Sequence, residues 1–267
     1  HYRRLVRHCQ ANYADLRKRL DRTRLGFVRR VMGAQQRYLT LQKPLFYNRV
    51  RNGRVVEGHG DLRAEHIYLD SPPRVIDCVE FSRELRIVDV LDELCFLAMD
   101  CQRLGNSEVG QHLLHHYAQT TGDRPPESLA SFYKSYRACV RAKVSALRAE
   151  QAEGSQRRLA MRQTHQYLNW AHHFAGELGP PAMVVVGGMM GSGKSTLAAE
   201  LARSIGAEWL STDVVRRQLY GRSNSPADYG AGNYRDAARR QVYDLLLARA
   251  ANLLDAAFTE PYEVTVY

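Results

Sequence analysis

Met183-Val-Val-Val-Gly-Gly188-Met189-Met190-Gly191-Ser192-Gly193-Lys194-Ser195-Thr196 is an apolar run that passes through glycines into residues suited to a helix. Four consecutive apolar residues bounded by glycine predict a buried strand of a parallel sheet. Gly188 to Ser195 fits the pattern GxxxxGK[ST], and its place between a strand and a helix turns the match into a mechanism. Glycines let the backbone wrap closely and aim successive N–H groups at phosphate oxygens. The helix that follows adds its positive end, Lys194 neutralises the β- and γ-phosphates, Ser195 offers a hydroxyl to Mg2+, and Thr196 supports the cradle. The stretch predicts a site for ATP with Mg2+, formed by Gly188, Met189, Met190, Gly191, Ser192, Gly193, Lys194, Ser195 and Thr196.

Downstream, a helix over 194–205, a strand at 208–210 and helices at about 213–220 and 232–254 give the alternation of a parallel α/β sheet. Ser211-Thr-Asp213-Val-Val-Arg216-Arg217 places a carboxylate at the end of the second strand. Asp213 suits a helix N-cap, and at that sheet edge it also suits orienting or deprotonating an acceptor hydroxyl. With these residues in view, the segment resembles the P-loop kinases related to gluconate kinase, polynucleotide kinase and the zeta toxins. The resemblance implies that Gly-Ser-Gly-Lys-Ser-Thr binds ATP, that Asp213 contacts the acceptor, and that Arg216 and Arg217 match a basic pair. That family continues with an acidic strand and an arginine-bearing lid. Here Leu254-Asp255-Ala-Ala-Phe258 matches the strand faintly, and the 87 residues of 181–267 contain no lid.

Upstream, Glu177-Leu-Gly-Pro-Pro-Ala182 breaks a helical run and marks a boundary. The expected organisation is 1–176, a linker at 177–182, and 183–267. Apolar positions at helical spacing predict one or two long helices over 2–38 and further helices at about 90–104, 107–121, 127–151 and 156–175. A short strand at Val55 and a hairpin from Ile67 to Asp77 complete the first part.

Acidic and imidazole groups cluster in that part: His59-Gly-Asp61-Leu-Arg63-Ala-Glu65-His66, then Val75-Ile76-Asp77, then Asp89-Val-Leu-Asp92-Glu93. In a kinase-type site one aspartate accepts the acceptor's proton, a second side chain five residues on holds metal, and a strand-end aspartate holds Mg2+. Asp61, His66 and Asp77 fit those places, and Asp89 and Asp92 suit capping and hydrogen bonding to the loop. The stretch looks like the C-terminal lobe of the aminoglycoside phosphotransferase family, specifically of bifunctional proteins in which such a lobe precedes a P-loop kinase. His66 departs from the family's Asn, and imidazole is a poorer Mg2+ ligand than an amide oxygen. No glycine-rich loop, strand lysine or partner glutamate precedes residue 55.

The fold expected is α/β with a large helical part: a helical protein-kinase-like C-lobe lacking its N-lobe, then a P-loop parallel-sheet domain, incomplete at its C-terminus. The chain opens with His1 and stops at Tyr267 inside a strand-like Tyr262-Glu-Val-Thr-Val-Tyr267, and so reads as a fragment. Its 267 residues, 45% hydrophobic, suffice to bury a core. Five cysteines without CxxC spacing argue against a disulfide framework or zinc site and for a cytoplasmic setting. No apolar stretch approaches the roughly 18 residues of a membrane span.

Residues 1–54 hold 15 Lys and Arg against Asp15 and Asp21. A solvated helix face explains this better than a nucleic-acid arm, because aromatic and basic residues do not interleave. His112, His115 and His116, like His165, His172 and His173, lack a neighbouring Glu in HExxH form and read as surface or packing residues. The Arg137/Arg141 stripe suits a solvated helix face or an anionic acceptor equally. The function expected is transfer of the ATP γ-phosphate to a small-molecule hydroxyl. The rivals are an ATP-binding regulatory module without transfer and a nucleic-acid-directed protein.

Overall fold

The computed structural model describes residues 1–179, 183–189, 191–205, 207–221 and 235–258. Met190, the turn at 180–182, the first residues of the last expected helix and the strand expected at 262–267 lie outside the described residues. The chain divides into two compact units, His1–Gly179 and Pro180–Tyr267.

The first unit opens with helices α1 (Tyr2–Arg19), α2 (Arg22–Leu41) and α3 (Lys43–Arg51). Short segments follow: β1 (Val55–Glu57), β2 (Ile67–Tyr68), β3 (Arg74–Val75), α4 (Arg83–Arg86) and β4 (Ile87–Asp89). Helices α5 (Val90–Arg103), α6 (Ser107–Thr121), α7 (Glu127–Gln151) and α8 (Gly154–Gly176) complete it. Local chemistry sets the starts and stops. The Asp21 carboxylate accepts from the Arg24 amide at 2.9 Å, Asp89 accepts from Leu91 at 2.9 Å, and Gly122, at φ 67°, closes α6 in the left-handed conformation. Strand β1 pairs antiparallel with β4 (Val55↔Asp89, Glu57↔Ile87), and β2 with β3 (Ile67↔Val75).

Helix α7 packs along α8 and against α1 and α5. Its apolar face buries Phe132 and Tyr133 completely, with Phe46 of α3 edge-on to Phe132 at 5.4 Å and Tyr38 of α2 stacked on it at 5.3 Å. Helix α6 lies so close to α5 that a Cβ on Gly110 would come 2.9 Å from the Ala98 Cβ, below any normal contact.

A buried cation joins three segments distant in sequence. Arg49 of α3 donates from Nε and Nη2 to the two oxygens of Asp89, at 2.8 and 2.7 Å, and from Nη1 to Asp123 at 2.6 Å. Tyr133 donates to Asp89 at 3.0 Å and Tyr117 to Asp123 at 2.6 Å. Burial works against the Arg49 cation, but the two carboxylates outweigh it and hold the guanidinium above its ordinary range. At Asp123 burial favours the neutral acid, yet the hydrogen bonds from Arg49 and Tyr117 prevail and the carboxyl titrates below its usual value. A depressed carboxylate contributes stability above its unfolded pKa of about 3.9, and that stability is lost as pH falls through the lower folded value. Urea midpoints measured between about pH 5 and pH 2 should therefore fall with pH, and Asp123→Asn should fall less steeply. Equal slopes would contradict this origin.

The second unit contains α9 (Lys194–Ile205), α10 (Thr212–Tyr220) and α11 (Asp236–Phe258). Helix α10 packs on α11, where Val215, Ala238 and Val242 are buried. Arg249 donates to Gln218 at 2.8 Å, and Tyr220 donates to Gln241.

The parallel sheet expected in this unit is not formed among its described residues. Among the described residues neither 183–186 nor 208–210 forms a ladder, and all strand pairing is antiparallel and lies in the first unit. Val185 is 79% exposed and Trp209 45%. A parallel strand is stable only with ladder partners and cover on both faces, and apolar sequence alone supplies neither. Among the described residues the architecture is mostly helical with two small sheets.

Candidate functional site

In the second unit, residues 183–189 have no regular structure, and Gly191, Ser192 and Gly193 form a turn from which α9 starts. Gly191 and Gly193 adopt φ 77° and 82°, a region that side chains disfavour. A Cβ at Gly188 would lie 2.9 Å from the Ser192 hydroxyl, so the loop closes on itself only because that carbon is missing. The Ser192 amide donates to the Met189 carbonyl at 3.3 Å, and Leu197 donates to Gly193 at 3.0 Å as the helix begins. Lys194 folds back so that its ammonium donates to the Met189 carbonyl. The cation, the helix's free amides and the hydroxyls of Ser195 and Thr196 thus belong to one glycine turn at a helix N-terminus, a donor set that fits an oxyanion chain.

Asp213 sits in the first turn of α10, where Ser211 is the N-cap residue and makes no side-chain cap. Asp213 instead accepts from Arg216 at 2.6 Å, and its side chain stays 64% exposed. Its charge complements the helix's positive end without capping it.

In the first unit the His59–Asp61 loop, composed of His59, Gly60 and Asp61, is held from below. Glu93 of α5 accepts from the His59 amide at 2.9 Å and also from the Gly60 amide. Gly58 permits this approach, since a Cβ there would collide with the Glu93 carboxylate. Arg137 of α7 donates to the Gly60 carbonyl at 2.9 Å and to both Asp92 oxygens at 2.7 and 2.8 Å. Burial opposes the Arg137 cation, but the Asp92 carboxylate outweighs it and keeps the guanidinium charged.

A second segment is tied to the same loop. His59 donates from Nε2 to the Ile76 carbonyl at 2.7 Å, and the Val79 and Ile76 amides donate to the His59 and His66 carbonyls, each at 3.0 Å. His66 stacks on His59 with centroids 5.5 Å apart and donates from Nδ1 to the Asp61 carbonyl at 3.0 Å. Its Nε2 then faces Asp77, at 3.4 Å, and Glu65, at 3.7 Å. Asp77 adopts φ 62°, uncommon for a residue with a side chain. His66 and Asp77 are thus brought together, with the Asp61 backbone between the two histidines. Among the described residues no group of three or more His, Cys, Asp or Glu is placed to hold a metal ion. Two donors, one an imidazole, fall short of the oxygen-rich set that Mg2+ favours.

Asp89 caps α5 as its position predicts, but Asp92 reaches the loop only through Arg137. Glu93, which touches the loop directly, was not singled out from the sequence. Its place beside Asp92, at the start of a helix following a strand, was the available signal. Of the histidines on helices, His172 stacks on Phe27 at 4.4 Å, and burial holds the His165 pKa below its ordinary value. No helix among the described residues is long and apolar enough to cross a membrane.

Residues 183–265 match the family described as AAA domain. The match falls on the glycine turn and α9–α11. It agrees with a P-loop nucleotide-binding reading of this segment. An uncharacterised protein of Mycobacterium bovis and two of Mycobacterium tuberculosis strains are each 37% identical over 255 residues, which is 94% of this chain and 50% of theirs. The chain therefore spans about half the length of the curated relatives it matches. No solved structure matches it.

Proposed function

We propose that residues 183–267 act as an ATP-dependent phosphotransferase of the P-loop kinase type, passing the γ-phosphate to a small-molecule hydroxyl. The observation that carries this reading is the glycine turn closed by Lys194 at the start of α9, inside the matched AAA segment. Backbone amides from Gly188 to Gly193 receive the phosphate oxygens, Lys194 leaves the Met189 carbonyl for the β- and γ-phosphates, and Ser195 and Thr196 complete the cradle. Ser195 is the residue that would hold Mg2+, which when bound neutralises charge on the phosphates. Asp213, exposed and salt-bridged to Arg216, orients the acceptor hydroxyl and takes its proton.

The first unit carries a second arrangement compatible with phosphoryl transfer. Its support is the joined pair of segments that places Asp61 on a braced loop and His66 beside Asp77. In this reading Asp61 accepts the proton of an acceptor hydroxyl, as the resemblance to aminoglycoside phosphotransferases implies, while His66 and Asp77 tie the neighbouring segment to that loop. The resemblance alone does not fix the acceptor.

An acceptor screen by ATP consumption tests the main reading. With a working acceptor, Asp213→Asn should leave Mg·ATP affinity within about twofold and lower acceptor-dependent turnover at least about tenfold. ATP binding without turnover for any acceptor would replace the kinase by a nucleotide-responsive module.

A further inference from the structure

Arg141 of α7 is only 8% exposed, its Nε has no hydrogen-bond partner, and no ion pair is made to it among the described residues. Its guanidinium lies 5.7 Å from the centre of the Tyr167 ring on α8. One turn earlier on the same helix, Arg137 is fully engaged by Asp92 and the Gly60 carbonyl. One turn later, the Ser145 hydroxyl is buried and also without a partner. Arg103 is paired with Asp100 at 2.8 Å, and Arg63 with Glu65 through one Nη, its Nε remaining without a partner. The segment after the loop lies against α5, since the Ala64 amide donates to Asp100 at 3.1 Å.

A buried cation without a counter-charge is costly, and the fork of a guanidinium matches the two oxygens of an oxyanion. The aromatic face of Tyr167 fixes the plane of that fork without neutralising it. We propose that Arg141 is the anchor of an oxyanion subsite on α7, one turn beyond the Arg137 that holds the Gly60 carbonyl, and that this subsite receives a phosphate or carboxylate group of a small molecule. This inference concerns the first unit and does not rest on nucleotide binding by the second.

The test uses the intact chain carrying Lys194→Ala, so that the glycine turn does not report. Inorganic phosphate and acetate are titrated separately at constant ionic strength by calorimetry. Saturable binding of at least one is expected, the tighter probe naming the anionic group. Arg141→Met should weaken it at least tenfold, and Arg141→Lys, which keeps the charge but loses the fork, by a smaller factor. Circular dichroism checks that the variants fold. Absence of saturable binding in the Lys194→Ala parent, or equal affinity in Arg141→Met, overturns the proposal. If Arg141→Met does not fold, unchanged affinity in Arg141→Lys overturns it instead.

Discussion

Replacing Lys194 by alanine lowers the affinity of the chain for Mg·ATP by about 10- to 100-fold, the effect of losing about 1.5–3 kcal/mol of charge-assisted hydrogen bonding. In the free chain Lys194 contacts only the loop it closes, through the Met189 carbonyl. Its removal therefore leaves no buried charge behind, and the melting temperature of the variant should stay within a few degrees of wild type. That combination distinguishes a binding residue from a structural one. The measurement is a titration with Mg·ATP at fixed ionic strength, paired with a thermal melt. Unchanged affinity in the variant would remove the support for a triphosphate in the glycine turn. Loss of affinity together with loss of α9 would show that Lys194 acts on the helix rather than on the ligand.

Arg49→Met destabilises the first unit by about 3–5 kcal/mol, because it strands the buried Asp89 and leaves Asp123 with only the more distant Arg54, 3.7 Å away. Asp89 is completely buried, so it cannot recover the loss from water. At roughly 2–4 °C per kcal/mol for a unit of this size, the melting temperature falls by roughly 6–20 °C. Urea unfolding followed by far-ultraviolet circular dichroism measures the loss. Adding Asp123→Asn to Arg49→Met should recover part of it, since the underpaired Asp123 charge is then gone. A loss below about 1 kcal/mol would mean that the carboxylates find other partners.

Helical periodicity located α5, α6, α7 and α8 to within a residue or two, because each is long and has caps or turn residues at its ends. Helix α3 was not anticipated, being nine residues long with Pro44 in its first turn. Strand β4 was missed for a similar reason: Ile87, Val88 and Asp89 are too few to show alternation, and only pairing with β1 makes them a strand. The opposite error arose at 183–186, where apolar character suggested a ladder that the described residues do not form. At the sites, the residue types that face a ligand were legible from local spacing. The residues that brace them were not, since Arg137 reaches Gly60 across 77 positions and Arg49 reaches Asp123 across 74. Such pairings are properties of the packed helices, and no local pattern encodes them.

The contact between Gly110 and Ala98 restricts what position 110 can hold. Any side chain larger than hydrogen at 110 would meet the backbone of Ala98 as well as its methyl, so it must widen the gap between α5 and α6, and that gap would carry Glu93 away from the loop it braces. Homologues that share the braced loop should thus keep glycine at 110 whatever small residue stands at 98.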